Sequence, residues 1–298
     1  MYERMLVLGS EGFIGQEFCQ FFKLNNIPFI ATSKNGSEQT ITFSLSQPNF
    51  QILTSIRDQY DCVIFLAAKT NVRWCEMNVN EANLINVTNA IDTLKFFVGL
   101  NKKIIYFSSD YVFDGYTGNY GDDSLKNAKT VYGKGKQLLE ELIPKITNNY
   151  LIIRLGKVFG TKPEKKCLIS EIANTLYFNE IYSAAYDQVF STICVHDIPK
   201  IILFFNSQEL NGLFNICSKA SFSRYQIAQI IREILGVNEN LLKKINLRDL
   251  PFMSDRPLNT SMTPTNKLAE YNFQLTDIRQ AIEIVSDKLK SSVNLRDN

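Results

Sequence analysis

Short runs that are apolar throughout alternate with longer stretches whose apolar residues recur every three or four positions. The runs are 5–9 (MLVLG), 28–32 (PFIAT), 61–68 (DCVIFLAA), 103–108 (KIIYFS) and 150–155 (YLIIRL), with a weaker one at 40–43. The periodic stretches are 13–25, 49–59, 81–100 and 132–146. Run lengths of this kind predict strands, and the periodic stretches predict amphipathic helices. Strands without polar alternation are covered on both faces. Their alternation with helices therefore predicts a doubly wound parallel sheet with right-handed crossovers.

After residue 159 the rhythm becomes irregular. Residues 161–166 read as a polar loop and 168–178 as a helix. Residues 197–205 read as a helix capped by Asp197, with Pro199 in its first turn. Residues 213–217 read as the last strand of the sheet, and 182–186 (YSAAY) as a candidate further strand. A helix at 223–235, a polar loop around 249–260 and a terminal helix from 276 follow. The expected organisation is a dinucleotide-binding domain over 1–160, completed by about 186–217, and a substrate lobe over 161–185 and 218–298.

Composition narrows the class. The 298 residues are 45% hydrophobic and 21% charged, which suits a globular protein with a substantial core. The net charge of +2 gives no bulk electrostatic case for nucleic acid or an anionic membrane. Cys19, Cys62, Cys75, Cys167, Cys194 and Cys217 form no C-x-x-C pair, and with a single histidine no metal site is expected. No apolar stretch approaches 18 residues and no signal peptide is apparent, so a reducing cytoplasm is the expected compartment.

Two motifs carry chemistry. Gly9-Ser10-Glu11-Gly12-Phe13-Ile14-Gly15 lies between the first strand and the first helix. Gly9 permits a tight turn, Gly12 lets backbone approach a pyrophosphate, and Gly15 lets the helix pack closely on the sheet. The helix N-terminus adds free N–H groups and a positive dipole end. A ligand-free glycine turn is the plain alternative, but the β-α setting favours a nicotinamide dinucleotide. The second strand ends at Thr32-Ser33-Lys34 without the acid that NAD sites usually place there. Lys34 would meet a 2′-phosphate or is a solvated loop lysine; NADP is preferred over NAD.

The second motif is Tyr132-x-x-x-Lys136. On a helix the two side chains share a face. An adjacent ammonium stabilises phenolate, so the tyrosine pKa is expected to fall from about 10 towards neutrality. Such a tyrosine exchanges protons with a substrate oxygen. Alone, the spacing is a weak signal and more often marks a surface pair. Ser108 and Ser109 end a strand 23 residues earlier, where ligands of parallel sheets bind.

Together with Ser109-Asp110-Tyr111-Val112-Phe113-Asp114-Gly115 and Val131-Tyr132-Gly133-Lys134, these motifs resemble the extended short-chain dehydrogenase/reductase family, with its Rossmann-type sheet, and within it the dTDP-4-dehydrorhamnose reductase branch. Leu66-Ala67-Ala68-Lys69-Thr70, Arg154, Asp187-Gln188, Ser223-Arg224-Tyr225, Arg256-Pro257-Leu258-Asn259 and Lys267-Leu268 extend the resemblance over nearly the whole chain. It implies that Tyr132 gives a proton to a ketone, that Lys136 lowers its pKa and binds the nicotinamide ribose, and that Ser109 holds the carbonyl oxygen. It implies that Leu66, Ala67, Ala68, Lys69, Asn86 and Ser108 line the cofactor. Asp110, Tyr111, Val112, Lys157, Arg224 and Arg256 become substrate candidates. Ser109 as a turn cap and Asn86 as a helix contact are the plain alternatives.

The implied activity is NAD(P)-dependent reduction of the 4-keto group of a nucleotide-activated sugar, with a nucleotide-sugar partner and a homodimer allowed. Elimination enzymes of the superfamily follow the hydroxyl residue with Asp-Glu; Asp110-Tyr111 stands here and favours simple redox chemistry. A non-catalytic regulatory subunit and a sugar-nucleotide epimerase are the alternatives. Departures concern the sugar: Lys157 replaces an aromatic residue, Arg73 an acid, and Ser44 an Asp near the adenine. His196 reads as a structural or capping residue, and Trp74 either lines the cleft or packs under a loop. Arg224 and Arg256 suit a diphosphate or salt bridges equally.

Overall fold

A computed structural model describes residues 3–165, 167–250 and 256–294. The expected polar loops at 161–166 and 249–260, and the end of the terminal helix, therefore lie partly outside the described residues. The chain divides into two compact units. The first comprises 1–113, 125–154 and 198–214, and the second 114–124, 155–197 and 215–298.

The strands are β1 (Met5–Leu8), β2 (Phe29–Ser33), β3 (Ile41–Thr42), β4 (Cys62–Phe65), β5 (Lys103–Ser109), β6 (Tyr150–Leu155), β7 (Lys157–Phe159), β8 (Tyr182–Ala185), β9 (Val189–Cys194), β10 (Gly212–Ile216), β11 (Ser221–Ser223) and β12 (Leu242–Ile245). The helices are α1 (Phe13–Leu24), α2 (Phe50–Ser55), α3 (Val72–Met77), α4 (Val79–Asn83), α5 (Asn89–Gly99), α6 (Val131–Ile146), α7 (Leu168–Tyr177), α8 (Ile198–Ser207), α9 (Arg224–Leu235), α10 (Asn266–Glu270) and α11 (Ile278–Asn294).

The central sheet has seven strands in the order β10-β6-β5-β4-β1-β2-β3. Strands β3, β2, β1, β4 and β5 pair in parallel, with Met5 opposite both Phe29 and Cys62. Every residue of β1 and β4 is buried, as their unbroken apolar runs require. On one face Leu94 and Phe97 of α5 and Leu139 and Ile143 of α6 close a core over Leu6, Val63, Tyr106 and Ile152. On the other face Phe18 of α1 meets Phe107 of β5 edge-on, 5.8 Å between centroids. The strand order reverses between β1 and β4, and the loops after these two strands mark the switch point where such sheets bind ligands.

Helix α5 is shorter than the expected 81–100 stretch because residues Leu84–Thr88 form a π-helical turn, and α4 precedes it. Strand β4 stops at Phe65, which frees residues 66–70 as a loop rather than the expected strand end. The 49–59 stretch breaks after Ser55 and continues as a 3₁₀ turn, Arg57–Gln59.

In the second unit β9 pairs antiparallel with β11 and parallel with β7, and β8 pairs in parallel with β12. Helices α7, α9 and α11 share a core of Ile169, Ile172, Ile227, Ile231, Ile282 and Val285. Asp197 does not cap α8 with its side chain as expected. Its carboxylate accepts the Thr276 N–H at 2.7 Å and hydroxyl at 3.1 Å, fastening the chain just before α11. Among the described residues no helix is long and apolar enough to cross a membrane.

Candidate active site

The glycine turn sits at the switch point. Gly9 has φ +90°, in the left-handed region, and a Cβ there would come within 3.0 Å of the Ala67 backbone. The loops after β1 and β4 therefore touch, and only glycine fits between them. A Cβ on Gly15 would strike the Gly9 carbonyl, which explains the close seat of α1. Gly12 caps α1 without a side-chain hydrogen bond and no acid occupies the first turn. The leading N–H groups and the dipole end are thus left for an anion.

Other turn residues are already engaged. The Ser10 hydroxyl donates to the Thr32 carbonyl at 2.9 Å, and the Gly9 N–H donates to the Thr32 hydroxyl at 3.4 Å. Thr32 thus holds the turn in shape. Ser33 shares a 2.8 Å hydrogen bond with the Thr40 hydroxyl, while Lys34 is exposed. Glu11 is exposed, and Phe13 and Ile14 are half-buried.

The 66–70 loop is fixed by Asn86. Its Oδ1 accepts the Lys69 N–H at 2.8 Å and its Nδ2 donates to the Lys69 carbonyl at 2.9 Å. The π turn delivers this amide, and such turns often mark functional segments. Asn86 spends both ends of its amide on the backbone of one residue, Lys69, so its part is to hold Leu66, Ala67, Ala68 and Lys69 in place. Trp74, on α3, carries the Lys69 ammonium 4.9 Å from its ring centroid. It packs against both the sheet core and the cluster around Tyr132.

Helix α6 presents the tyrosine and lysine. The Thr130 hydroxyl accepts the Gly133 N–H at 3.0 Å, and the Glu76 carboxylate accepts the Val131 N–H at 2.7 Å. An anion at this end suits the dipole. Glycine within a helix costs roughly 1 kcal/mol relative to alanine, so Gly133 needs a packing reason. A Cβ there would strike the Tyr111 carbonyl. The close approach places the turn Asp110–Val112 against α6, with the Tyr111 and Tyr132 rings edge to face at 6.2 Å. Gly133→Ala is expected to push that turn off α6 and lower kcat at least tenfold while cofactor affinity stays. Displacements near 1 Å can cost about a hundredfold in rate. Steady-state kinetics with a cofactor titration measures both.

Ser109 ends β5. Its hydroxyl donates to the Asp110 carboxylate at 2.9 Å and accepts the Tyr111 N–H at 3.2 Å. Its hydroxyl also acts on the Tyr132 phenol, drawing the phenol's pKa down. Ser109, Tyr132 and Lys136 are thus brought together in one unit. Lys136 is buried, donates to the Phe107 carbonyl at 2.6 Å, and lies 4.6 Å from the Tyr106 ring centroid and 5.8 Å from that of Tyr132.

The expected fall of the tyrosine pKa is corrected here. Burial and then the Asp110 carboxylate hold the Tyr132 phenol above its ordinary value, and the Ser109 hydroxyl opposes them only in part. Lys136 does not reverse this, because burial brings its own pKa down to about 8, with Glu140 working against the fall. Spacing alone shows a cation beside a phenol; it does not show that both are desolvated.

This sets a stability test. Lys136 titrates near 8 folded and 10.5 unfolded, so between those values the unfolded chain holds more protons and stability rises with pH. The folded protein bears the full cost of charging this lysine below about pH 8, roughly 3 kcal/mol. Lys136→Met is expected to raise the melting temperature at pH 7, with the gain shrinking as pH climbs from 8 to 10.5. Thermal melts across pH measure it.

Glu140, one turn further along α6, and Arg154 of β6 form a buried bidentate pair, with Nε–Oε1 at 3.0 Å and Nη2–Oε2 at 2.8 Å. Sequence reasoning missed Glu76, Glu140 and Tyr106. Thr130 was findable, since a threonine before an apolar periodic stretch is a cap signal.

Among the substrate candidates, Val112 is fully buried and its carbonyl accepts the Asn127 N–H at 3.0 Å. Asp110 is buried beside Ser109. Arg224 donates to the Gln188 Oε1 at 3.3 Å and to the Tyr182 hydroxyl at 3.1 Å, serving the second unit's own packing. Arg256 keeps its buried Nε without a hydrogen-bond partner among the described residues. Lys157 is exposed on β7. The Asp187 carboxylate accepts the Leu247 N–H at 2.7 Å, and His196 Nε2 meets the Thr161 hydroxyl at 3.0 Å.

Comparison with known proteins agrees with this layout. The chain is 27% identical to the spore coat polysaccharide biosynthesis protein SpsK of Bacillus subtilis, over 80% of this chain and 82% of that one. It is 23% identical to the dTDP-4-dehydrorhamnose reductase of Aggregatibacter actinomycetemcomitans, over 94% and 97%. The crystal structure of dTDP-4-dehydrorhamnose reductase from Bacillus anthracis in complex with NADP shares the fold, with a TM-score of 0.83, 20% identity and coverage of 95% of this chain and 98% of that one. The model of the RmlD substrate binding domain matches residues 3–291, and the chain belongs to that family.

Proposed function

We propose that this protein is an NADP- or NAD-dependent reductase of the 4-keto group of a nucleotide-activated sugar, acting in nucleotide-sugar or polysaccharide biosynthesis. The observation that carries the reading is the convergence of Ser109, Tyr132 and Lys136 in the same unit as an uncapped glycine turn at the sheet's switch point. Related proteins named as reductases and as polysaccharide biosynthesis proteins support it.

The turn fits a dinucleotide: Gly9 and Gly15 leave no room for side chains, and the start of α1 offers unpaired N–H groups. Gly12, Phe13, Ile14 and Gly15 would hold its pyrophosphate, and the 66–70 loop would lie along it. NADP is preferred because β2 ends without a carboxylate and Lys34 is exposed there. Bound there, the nicotinamide supplies the hydride.

The chain's own residues handle the proton. Ser109 exchanges its hydrogen bond to Asp110 for one to the sugar carbonyl, and with Tyr132 it orients that oxygen. A phenol held above its ordinary value is fully protonated at neutral pH, which is the state a proton donor to a nascent alkoxide needs. The Lys136 ammonium stabilises the phenolate left behind. In the second unit, the unpartnered Nε of Arg256 suits a diphosphate oxygen.

The test is NADPH oxidation with dTDP-, UDP- and GDP-4-keto sugars. Turnover with one of them, slower with NADH, is expected; no turnover with any would sink the reading.

A further inference from the structure

Among the described residues no carboxylate lies against the Lys136 ammonium. The acid that acts on it, Glu140, is one helical turn away and is gripped by the Arg154 fork at 2.8 to 3.2 Å. What lies under the ammonium is an aromatic face: the Tyr106 centroid at 4.6 Å, closer than the Tyr132 centroid at 5.8 Å. Tyr106 is 1% exposed and is itself wedged against Phe65, 5.9 Å between centroids. Its hydroxyl is buried without a hydrogen-bond partner. A buried phenol that gains nothing from its hydroxyl is present for its ring. What the residue offers its neighbours is therefore its aromatic face, whose quadrupole attracts a cation.

We propose that Tyr106 is a positioning residue: its ring face keeps the desolvated Lys136 ammonium charged and aimed at Tyr132. This rests on the reductase reading only for its kinetic consequence; the effect on the lysine stands by itself.

Of the other groups around Lys136, Glu140 alone favours its charged form, and only from one helical turn away. On α6 the titratable neighbours are Tyr132 and Glu140, and Lys126 lies 3.7 Å from Glu140, partly neutralising it along with Arg154. On β5 the Phe107 carbonyl accepts one N–H, leaving two donors with the ring below. The π turn Leu84–Thr88 packed on α6 contains no titratable residue. The Asp110 and Tyr111 side chains on the adjoining turn, and Cys75 of α3, act on Tyr132. Glu76 of α3 is engaged by the Val131 N–H at the helix start, and Glu81 of α4 lies on an exposed position. Burial pulls the lysine towards its neutral form, Glu140 resists from a distance, and the ring is the group in direct contact that resists.

The experiment follows the Lys136 side chain directly. Protein with isotope-labelled lysine is titrated by NMR, with the Lys136 signal assigned by its loss in Lys136→Met. Tyr106→Phe, which keeps the ring, is expected to leave the midpoint within about 0.3 pH units of wild type. Replacing Tyr106 by pentafluorophenylalanine keeps the shape and reverses the ring's polarity, and is expected to lower the midpoint by about one pH unit, in line with a desolvated cation–π contact. The alkaline limb of kcat in NADPH oxidation should move down by the same amount, because activity needs the charged lysine and is lost as pH rises through its pKa. Equal midpoints for the phenylalanine and pentafluorophenylalanine proteins would overturn the proposal. A shifted NMR midpoint in a protein without turnover would leave Tyr106 in this role and count against the reductase reading alone.

Discussion

Tyr132→Phe is expected to lower kcat by about 10² to 10⁴, the usual weight of a positioned general acid, while NADPH binds as before. The phenol is the ionisable group that Ser109 and Lys136 both approach and that stays protonated at neutral pH. Phenylalanine keeps the ring that packs on Tyr111, Cys75 and Ala82, so the fold should survive. The wild-type pH profile separates the two titrating partners. Tyr132 stays protonated through neutral pH, so the alkaline decline should come first from Lys136, near pH 8. Steady-state kinetics and a fluorescence titration with NADPH give both quantities. A loss smaller than tenfold would remove Tyr132 from the acid role.

Arg154→Met should cost about 3 to 5 kcal/mol, because it strips the main partner from a charge that has no solvent. Glu140 has no exposed side-chain surface and Arg154 is 2% exposed. With the arginine gone, the carboxylate keeps only Lys126, at 3.7 Å. A fall in melting temperature of the order of 10 °C follows from that energy for a chain of this size. The double variant Arg154→Met, Glu140→Leu should recover most of it, since a matched apolar pair is close to neutral or better. If single and double variants melt together, the two side chains are not coupled.

Much of the fold was legible because its signals are local. The strands β1 and β5 and the helices α1 and α6 fall within about a residue of expectation: their apolar runs are unbroken, and Gly12 and Thr130 mark the helix starts. The π turn in 81–100 was not legible, since its side chains keep a helical spacing while the backbone widens by one residue. Helix α3 was missed because six residues behind an Asn71 cap look like loop. The short strands β7, β9, β11 and β12 lie where polar and apolar residues mix and only pairing partners distant in sequence decide the outcome.

The same division holds for the site. Ser109, Tyr132, Lys136 and the glycine turn announce themselves by spacing. Glu76 on the start of α6, Arg154 on Glu140 and Tyr106 under Lys136 come from separate elements, so no window of sequence contains them. The direction of the Tyr132 shift failed for a related reason: it is set by burial and by Asp110, a residue 22 positions away. Arg224 illustrates the limit of residue type as evidence, its guanidinium being used to tie Gln188 to Tyr182.

The central claim is that hydride reaches a nucleotide-sugar carbonyl and stays there, with the proton supplied by Tyr132. The most direct measurement is a reaction with NADPH deuterated at nicotinamide carbon 4, run with the 4-keto sugar nucleotide that supports turnover and read by mass spectrometry and NMR. The account expects one deuterium on carbon 4 of the product alcohol for each cofactor oxidised, and none with Tyr132→Phe on the same time scale. A product without deuterium, or an isomerised sugar with the cofactor returned unchanged, would contradict it.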